Sequence, residues 1–108
     1  SLLNYYRALV QLRAKTPALR AGDFLVLEKD ELGPCGEACF GVWRWSGSDV
    51  VLEVFNFSLQ AQTAAVDLAA APVPLAGAPT ALLGAGGPAG DIPLPAGGVV
   101  VFRWGAGR

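Results

Sequence analysis

Apolar positions follow two rhythms along this chain. Over residues 1–15, Leu2, Leu3, Tyr6, Leu9, Val10 and Arg13 fall at helical spacing, and Tyr5 and Leu12 widen the stripe. Asn4, Arg7, Gln11 and Lys15 make the opposite, polar face. Ser1 suits an N-cap, and Thr16-Pro17 ends the pattern because proline disfavours the helical conformation in the residue before it. From Phe24 onward the apolar residues come in short runs separated by turn formers, the punctuation of strands. The expected strands are 24–28, 39–45, 50–57, 63–68, 80–83, 91–95 and 99–104.

The densest run is Val50-Val51-Leu52-Glu53-Val54-Phe55-Asn56-Phe57. Nearly every side chain in it is apolar, so both of its faces should be covered, and it belongs in the middle of a sheet. Val99 to Trp104 has the same character. Ser46-Gly47-Ser48-Asp49 before the central run predicts a hairpin with 39–45. Pro93 and Pro95 confine 91–95 to an edge. Lys29 to Ala38 reads as a polar loop, and Ala69 to Gly90 as surface loops around one weak strand. The fold class expected is mainly β, an antiparallel two-layer β-sandwich of Greek-key-like order with one α-helix before it.

Composition narrows the function classes. One hundred and eight residues suffice for one domain with one modest core. At 53 % hydrophobic and 16 % charged, the chain is more apolar than an ordinary soluble domain, which suggests a surface made to be covered. The net charge of −1 is spread rather than blocked, which argues against nucleic acid or an anionic membrane as a partner. No apolar run reaches the ~18 residues of a membrane span. A start at Ser1 on a helical pattern, without Met, suggests part of a longer chain.

Candidate chemistry is sparse. Without histidine, neither a Ser-His-Asp nor a Cys-His arrangement exists. Cys35 and Cys39 lack the further ligands a zinc site needs. They are read as a local disulfide or as two free thiols, and their three-residue spacing differs from the thioredoxin-type motif. Trp43 and Trp45 share one strand face. Exposed, they would make a sugar-stacking platform; burial is favoured because tryptophan carries a large apolar surface. Glu28, Asp30, Glu31 and Glu37 match no calcium loop and read as a solvated turn. Glu53 needs solvent or a partner such as Arg44 or Arg103. Asn56-Phe57-Ser58 has the form of a glycosylation acceptor, but local side-chain bonds ending a strand are preferred.

Three pieces together resemble the C-terminal end of α-amylase superfamily enzymes, in the α-glucosidase and oligosaccharide-hydrolase branch. They are Ser1–Arg13 continuing through Thr16-Pro17-Ala18-Leu19-Arg20-Ala21-Gly22-Asp23-Phe24, the hairpin 40–44 with 51–58, and Leu94-Pro95 with 99–102. Glu53, where an aliphatic is usual, and the Cys35–Cys39 loop depart from the pattern. The resemblance implies that 1–16 is the last helix of an upstream catalytic (β/α)8 barrel, 17–23 a connector and 24–108 a C-terminal β-sandwich domain. Leu2, Tyr6, Leu9 and Val10 would dock on that barrel, and the central strand would supply a second apolar face. The family's catalytic carboxylates lie upstream, so no catalytic, cofactor or metal residue is carried over to this segment. Calcium belongs, if anywhere, to the parent barrel, and an α-glucan or oligosaccharide substrate would be bound there; neither nucleic acid nor membrane is expected as a partner. Two other classes stay open: the ectodomain of a non-enzymatic amino-acid transporter heavy chain, and a carbohydrate-binding module exposing Trp43 and Trp45.

Overall fold

The structure, a computed structural model, describes residues 23–47, 49–75, 77, 79–83 and 91–105. The helical pattern of residues 1–15, with Leu2, Tyr6, Leu9 and Val10, lies outside the described residues, as does the connector up to 22. Among the described residues the chain forms seven strands: β1 (Asp23–Val26), β2 (Cys39–Ser46), β3 (Asp49–Asn56), β4 (Gln62–Ala65), β5 (Thr80–Leu83), β6 (Asp91–Leu94) and β7 (Val99–Trp104). Five of them form a sheet in the order β1-β2-β3-β7-β5, and β4 and β6 form a second, smaller one. Every pairing is antiparallel. After the β2–β3 hairpin the chain passes between the two sheets at each step, which gives the Greek-key-like order and the two layers of a β-sandwich.

The two most apolar runs take the inner positions. β3 lies between β2 and β7, and β7 between β3 and β5. Alternation of side chains across the pleat then sorts the sheet into two faces. Trp43, Val50, Leu52, Val54, Val100, Phe102 and Trp104 point towards the small sheet and meet Ala64, Val66, Ile92 and Leu94 in one buried cluster. The rings of Trp43 and Trp104 lie 5.7 Å apart at 42°, a tilted arrangement that aromatic quadrupoles favour. Pro93 sits in β6, which among the described residues pairs with β4 alone, so its missing N–H breaks no inner ladder there.

Segment 29–38 is more than a polar loop. It winds as two 3-10 pieces across a kink and drives Leu32 and Cys35, 1 % and 2 % exposed, into the core. Two glycines make this cap fit. Gly33 has φ of +64°, and a Cβ there would lie 2.7 Å from the Cβ of Ala65 on β4. Gly41 on β2 leaves the space that Leu27 and Leu32 fill, since a Cβ would stand 2.8 and 2.9 Å from their methyl groups. The cap thus closes one end of the sandwich.

The fourth strand ends at Ala65, short of the expected 63–68. The Asp67 carboxylate accepts the N–H of Ala69 at 3.0 Å and starts a 3-10 turn, Leu68–Ala70. A short acidic side chain offers the backbone this alternative to a ladder, and here it prevails. Val66 still reaches the core, 5 % exposed.

Candidate functional site

The face of the large sheet turned away from the small one carries the charged chemistry. Val42, Val51 and Val101 lie at its centre and are buried. Across the row through Val51, Arg44 on β2 and Arg103 on β7 flank β3 as register partners. Each arginine reaches diagonally to a carboxylate of β3. Arg44 Nε donates to Glu53 Oε1 at 2.7 Å, and Arg103 Nε donates to Asp49 Oδ1 at 2.7 Å. Burial pushes the Glu53 carboxyl above its ordinary value, and Arg44 offsets only part of that. The short ion pair and the raised pKa are reconciled by Arg44 being partly open to water, which screens its attraction while Glu53 loses its own hydration.

Around this centre stands an exposed aromatic rim. Phe24 and Phe57 are 66 % and 72 % exposed, and Val26 and Phe40 are also open. Phe40, Phe55 and Phe57 form a ladder with ring centroids 6.2 and 6.0 Å apart. The strand rule places Phe24, Val26, Phe40 and Phe55 on the face of Arg44 and Glu53.

The other candidate residues have structural occupations. Trp43 is 1 % exposed, so it presents no ring face to solvent, and Trp45 packs half-buried against the core. A stacking platform built on the pair has no open Trp43 face to use. Glu28, Asp30, Glu31 and Glu37 are all exposed; Glu31 accepts the Glu28 N–H at 2.8 Å, and Glu37 pairs with Lys29 at 2.9 Å. Asn56 is 1 % exposed, and its Nδ2 donates to the carbonyls of Gln60 at 2.8 Å, Leu94 at 3.3 Å and Pro95 at 3.0 Å. Its Oδ1 accepts from Ser58 N and Oγ at 2.9 and 2.8 Å. That amide nitrogen ties the two sheets together and is not offered to a glycosylating enzyme. Cys35 and Cys39 have Cα atoms 5.6 Å apart and their sulfurs paired as a disulfide.

Among the described residues no group of three or more His, Cys, Asp or Glu is placed to hold a metal ion. A hollow of about 660 Å³ beside Trp104 is lined by Leu68, Pro72, Val73, Leu75, Pro79 and small residues. Among the described residues its wall holds no acid, base or nucleophile. No helix among the described residues is long and apolar enough to cross a membrane. What reasoning from sequence missed is the Asp49–Arg103 pair: the two are 54 residues apart, and their proximity becomes readable only once the β3–β7 register is known.

No protein-family profile and no curated protein matches the chain. Solved structures do. An α-glucosyl transfer enzyme, XgtA, matches with a TM-score of 0.66 at 25 % identity, over 91 % of this chain and 17 % of its own. Trehalose-6-phosphate hydrolase of Bacillus licheniformis matches with a TM-score of 0.71 at 13 % identity, over 94 % of this chain and 18 % of its own. A MUTB mutant from crystals soaked with trehalulose matches with a TM-score of 0.68 at 17 % identity, over 93 % and 17 %. These are α-amylase-family enzymes, so the likeness of fold falls on the family that the sequence resembles. The chain spans less than a fifth of the length of these structures.

Proposed function

We propose that this chain is the non-catalytic C-terminal β-domain of a glycoside hydrolase or transglycosidase acting on α-glucosidic bonds, and that it stabilises and docks on the catalytic barrel of that enzyme. The observation that carries the reading is the proportion of the match. Nearly the whole chain, 91–94 %, is accommodated in 17–18 % of enzymes whose names specify glucosyl transfer or trehalose-6-phosphate hydrolysis. The chemistry of the described residues agrees: the buried carboxylates are each held by an arginine on a sheet face, and the apolar hollow has no acid or base. Retaining cleavage of an α-glucoside needs two carboxyl groups about 5–5.5 Å apart across the scissile bond. Those groups belong to the barrel in this reading, with 1–16 as its last helix and Leu2, Tyr6, Leu9 and Val10 docked on it. The aromatic rim of Phe24, Phe40 and Phe57 then supplies part of the second contact with the catalytic domain.

The test compares two proteins. The full open reading frame that encodes this chain and the 108-residue chain alone are assayed with maltose and a nitrophenyl α-glucoside. Turnover by the full protein alone is the expected result. A folded full protein without turnover, lacking the barrel's carboxylates, favours the transporter heavy chain. Turnover by the 108-residue chain, with host enzymes excluded, overturns the reading.

A further inference from the structure

We infer that Cys35 and Cys39 form a redox-labile clasp that holds the 29–38 cap onto the end of the sandwich, so that thiol–disulfide exchange loosens this cap without opening the sheets. The cap contributes Leu32 and Cys35 to the core from outside any strand. Its two 3-10 pieces are separated by Gly33 and Gly36, both outside helical geometry. Apart from the disulfide it is held by the buried side chain of Leu32, the packing of Gly33 on Ala65, the Glu28–Glu31 turn, the Phe57 N–H donated to the Ala38 carbonyl at 2.9 Å and the exposed Lys29–Glu37 pair. An exposed ion pair of this kind contributes little to stability.

The disulfide stands between two unlike regions. Cys35 is 2 % exposed, deep in the cluster formed with Leu27, Leu32 and Trp43. Cys39 is the first residue of β2, half-buried, and is paired in register with Asn56 of the central strand. The bond therefore joins a cap built outside the strands to the first residue of the β2–β3 ladder. The Cα separation of 5.6 Å lies at the common value for a disulfide, so the backbone accommodates the bond as it stands. Of the two residues, Cys39 is the less buried, so exchange is taken to begin at its sulfur.

The exchange balances with a monothiol as reductant. A thiolate attacks Cys39 Sγ, forming a mixed disulfide and releasing the Cys35 thiolate. A second thiolate attacks the mixed disulfide, releasing Cys39 and a small-molecule disulfide. Two electrons pass from two monothiols to the Cys35–Cys39 pair, and the two protons end on the cysteine sulfurs. Oxidation by a small-molecule disulfide is the reverse.

The experiment uses glutathione as the probe. The chain is equilibrated with oxidised or reduced glutathione, alkylated with iodoacetamide after denaturation, and weighed. In parallel, amide hydrogen exchange is followed in 29–38, 50–56 and 99–104. The oxidised protein should be two hydrogens lighter and take no alkyl group; the reduced one should take two. Exchange in 29–38 should rise at least tenfold on reduction, with less than a twofold change in the two strands. Cys39→Ser and Cys35→Ala should show the fast cap in both buffers. Two alkylatable thiols after treatment with oxidised glutathione would overturn the clasp. So would an unchanged cap on reduction, or a cap and strands that loosen together, which would mean a staple of the whole domain.

Discussion

The two faces of the five-stranded sheet are alike at their centres and unlike around them. Towards the small sheet, Trp43, Leu52, Val54, Phe102 and Trp104 are all within 2 % of complete burial, and among the described residues the buried polar side chain on this face is Asn56, whose amide is bonded at both ends. On the opposite face Val51 and Val101 are just as buried, yet two carboxylates and two arginines lie beside them, and an exposed aromatic rim surrounds the group. The first face has every partner it needs within the chain. The second combines paired charges, which fix orientation, with open phenylalanines, which supply area for contact. Open phenylalanines beside paired charges are what the proposed contact with a catalytic domain would use.

The largest effect should come from breaking the first face. Phe102→Ala removes a buried ring packed against Trp104, with centroids 6.3 Å apart. It should cost about 3–5 kcal/mol in denaturant unfolding, enough to unfold a marginal domain. Asn56→Ala should cost about 1–3 kcal/mol, since the carbonyls of Leu94 and Pro95 lose a donor where little water reaches them. The same loss should weaken the joint between the two sheets before it weakens the β2–β3 hairpin.

The sequence made the inner strands legible because their apolar runs are long, and it made the sandwich legible because the strands are short and evenly punctuated. It hid the cap for a physical reason. Leu32 and Cys35 sit among Lys29, Asp30, Glu31, Gly33 and Pro34, and two isolated apolar residues in a polar run carry no period. Glu53 was readable as an anomaly with Arg44 or Arg103 as its partner, and the structure selects Arg44. Asp49 with Arg103 was not, because that pairing depends on a return of the chain through the second sheet. The aromatic rim was visible only as part of an apolar strand; which phenylalanines stay open follows from how the layers stack.

A smaller effect sharpens the contrast through pH. Because burial raises the Glu53 pKa in the folded state above its ordinary value of 4.5, the native protein holds that proton more tightly than the unfolded chain. The contribution of Glu53 to stability is therefore greatest at low pH and declines as pH rises from 4.5 through the raised folded pKa, then stays level. Glu53→Gln should remove that decline and leave stability at neutral pH unchanged or raised, by less than about 1 kcal/mol. Unfolding curves of both proteins between acid and neutral pH check it; a variant with an unaltered slope would assign the decline elsewhere. The smallest effect belongs to the rim. Phe57→Ser on an exposed ring should change the stability of the isolated chain by no more than about 0.5 kcal/mol.

The claim that the second face meets a catalytic domain is tested most directly by hydroxyl-radical footprinting of Phe24, Phe40 and Phe57. Their oxidation rates are measured in the 108-residue chain and in the full protein that contains it. The account predicts that all three are labelled readily in the isolated chain and that their rates fall several-fold in the full protein, while Phe102 stays unlabelled in both. Equal labelling of the three phenylalanines in the two proteins would contradict it, since the rim would then be open to water with the catalytic domain present.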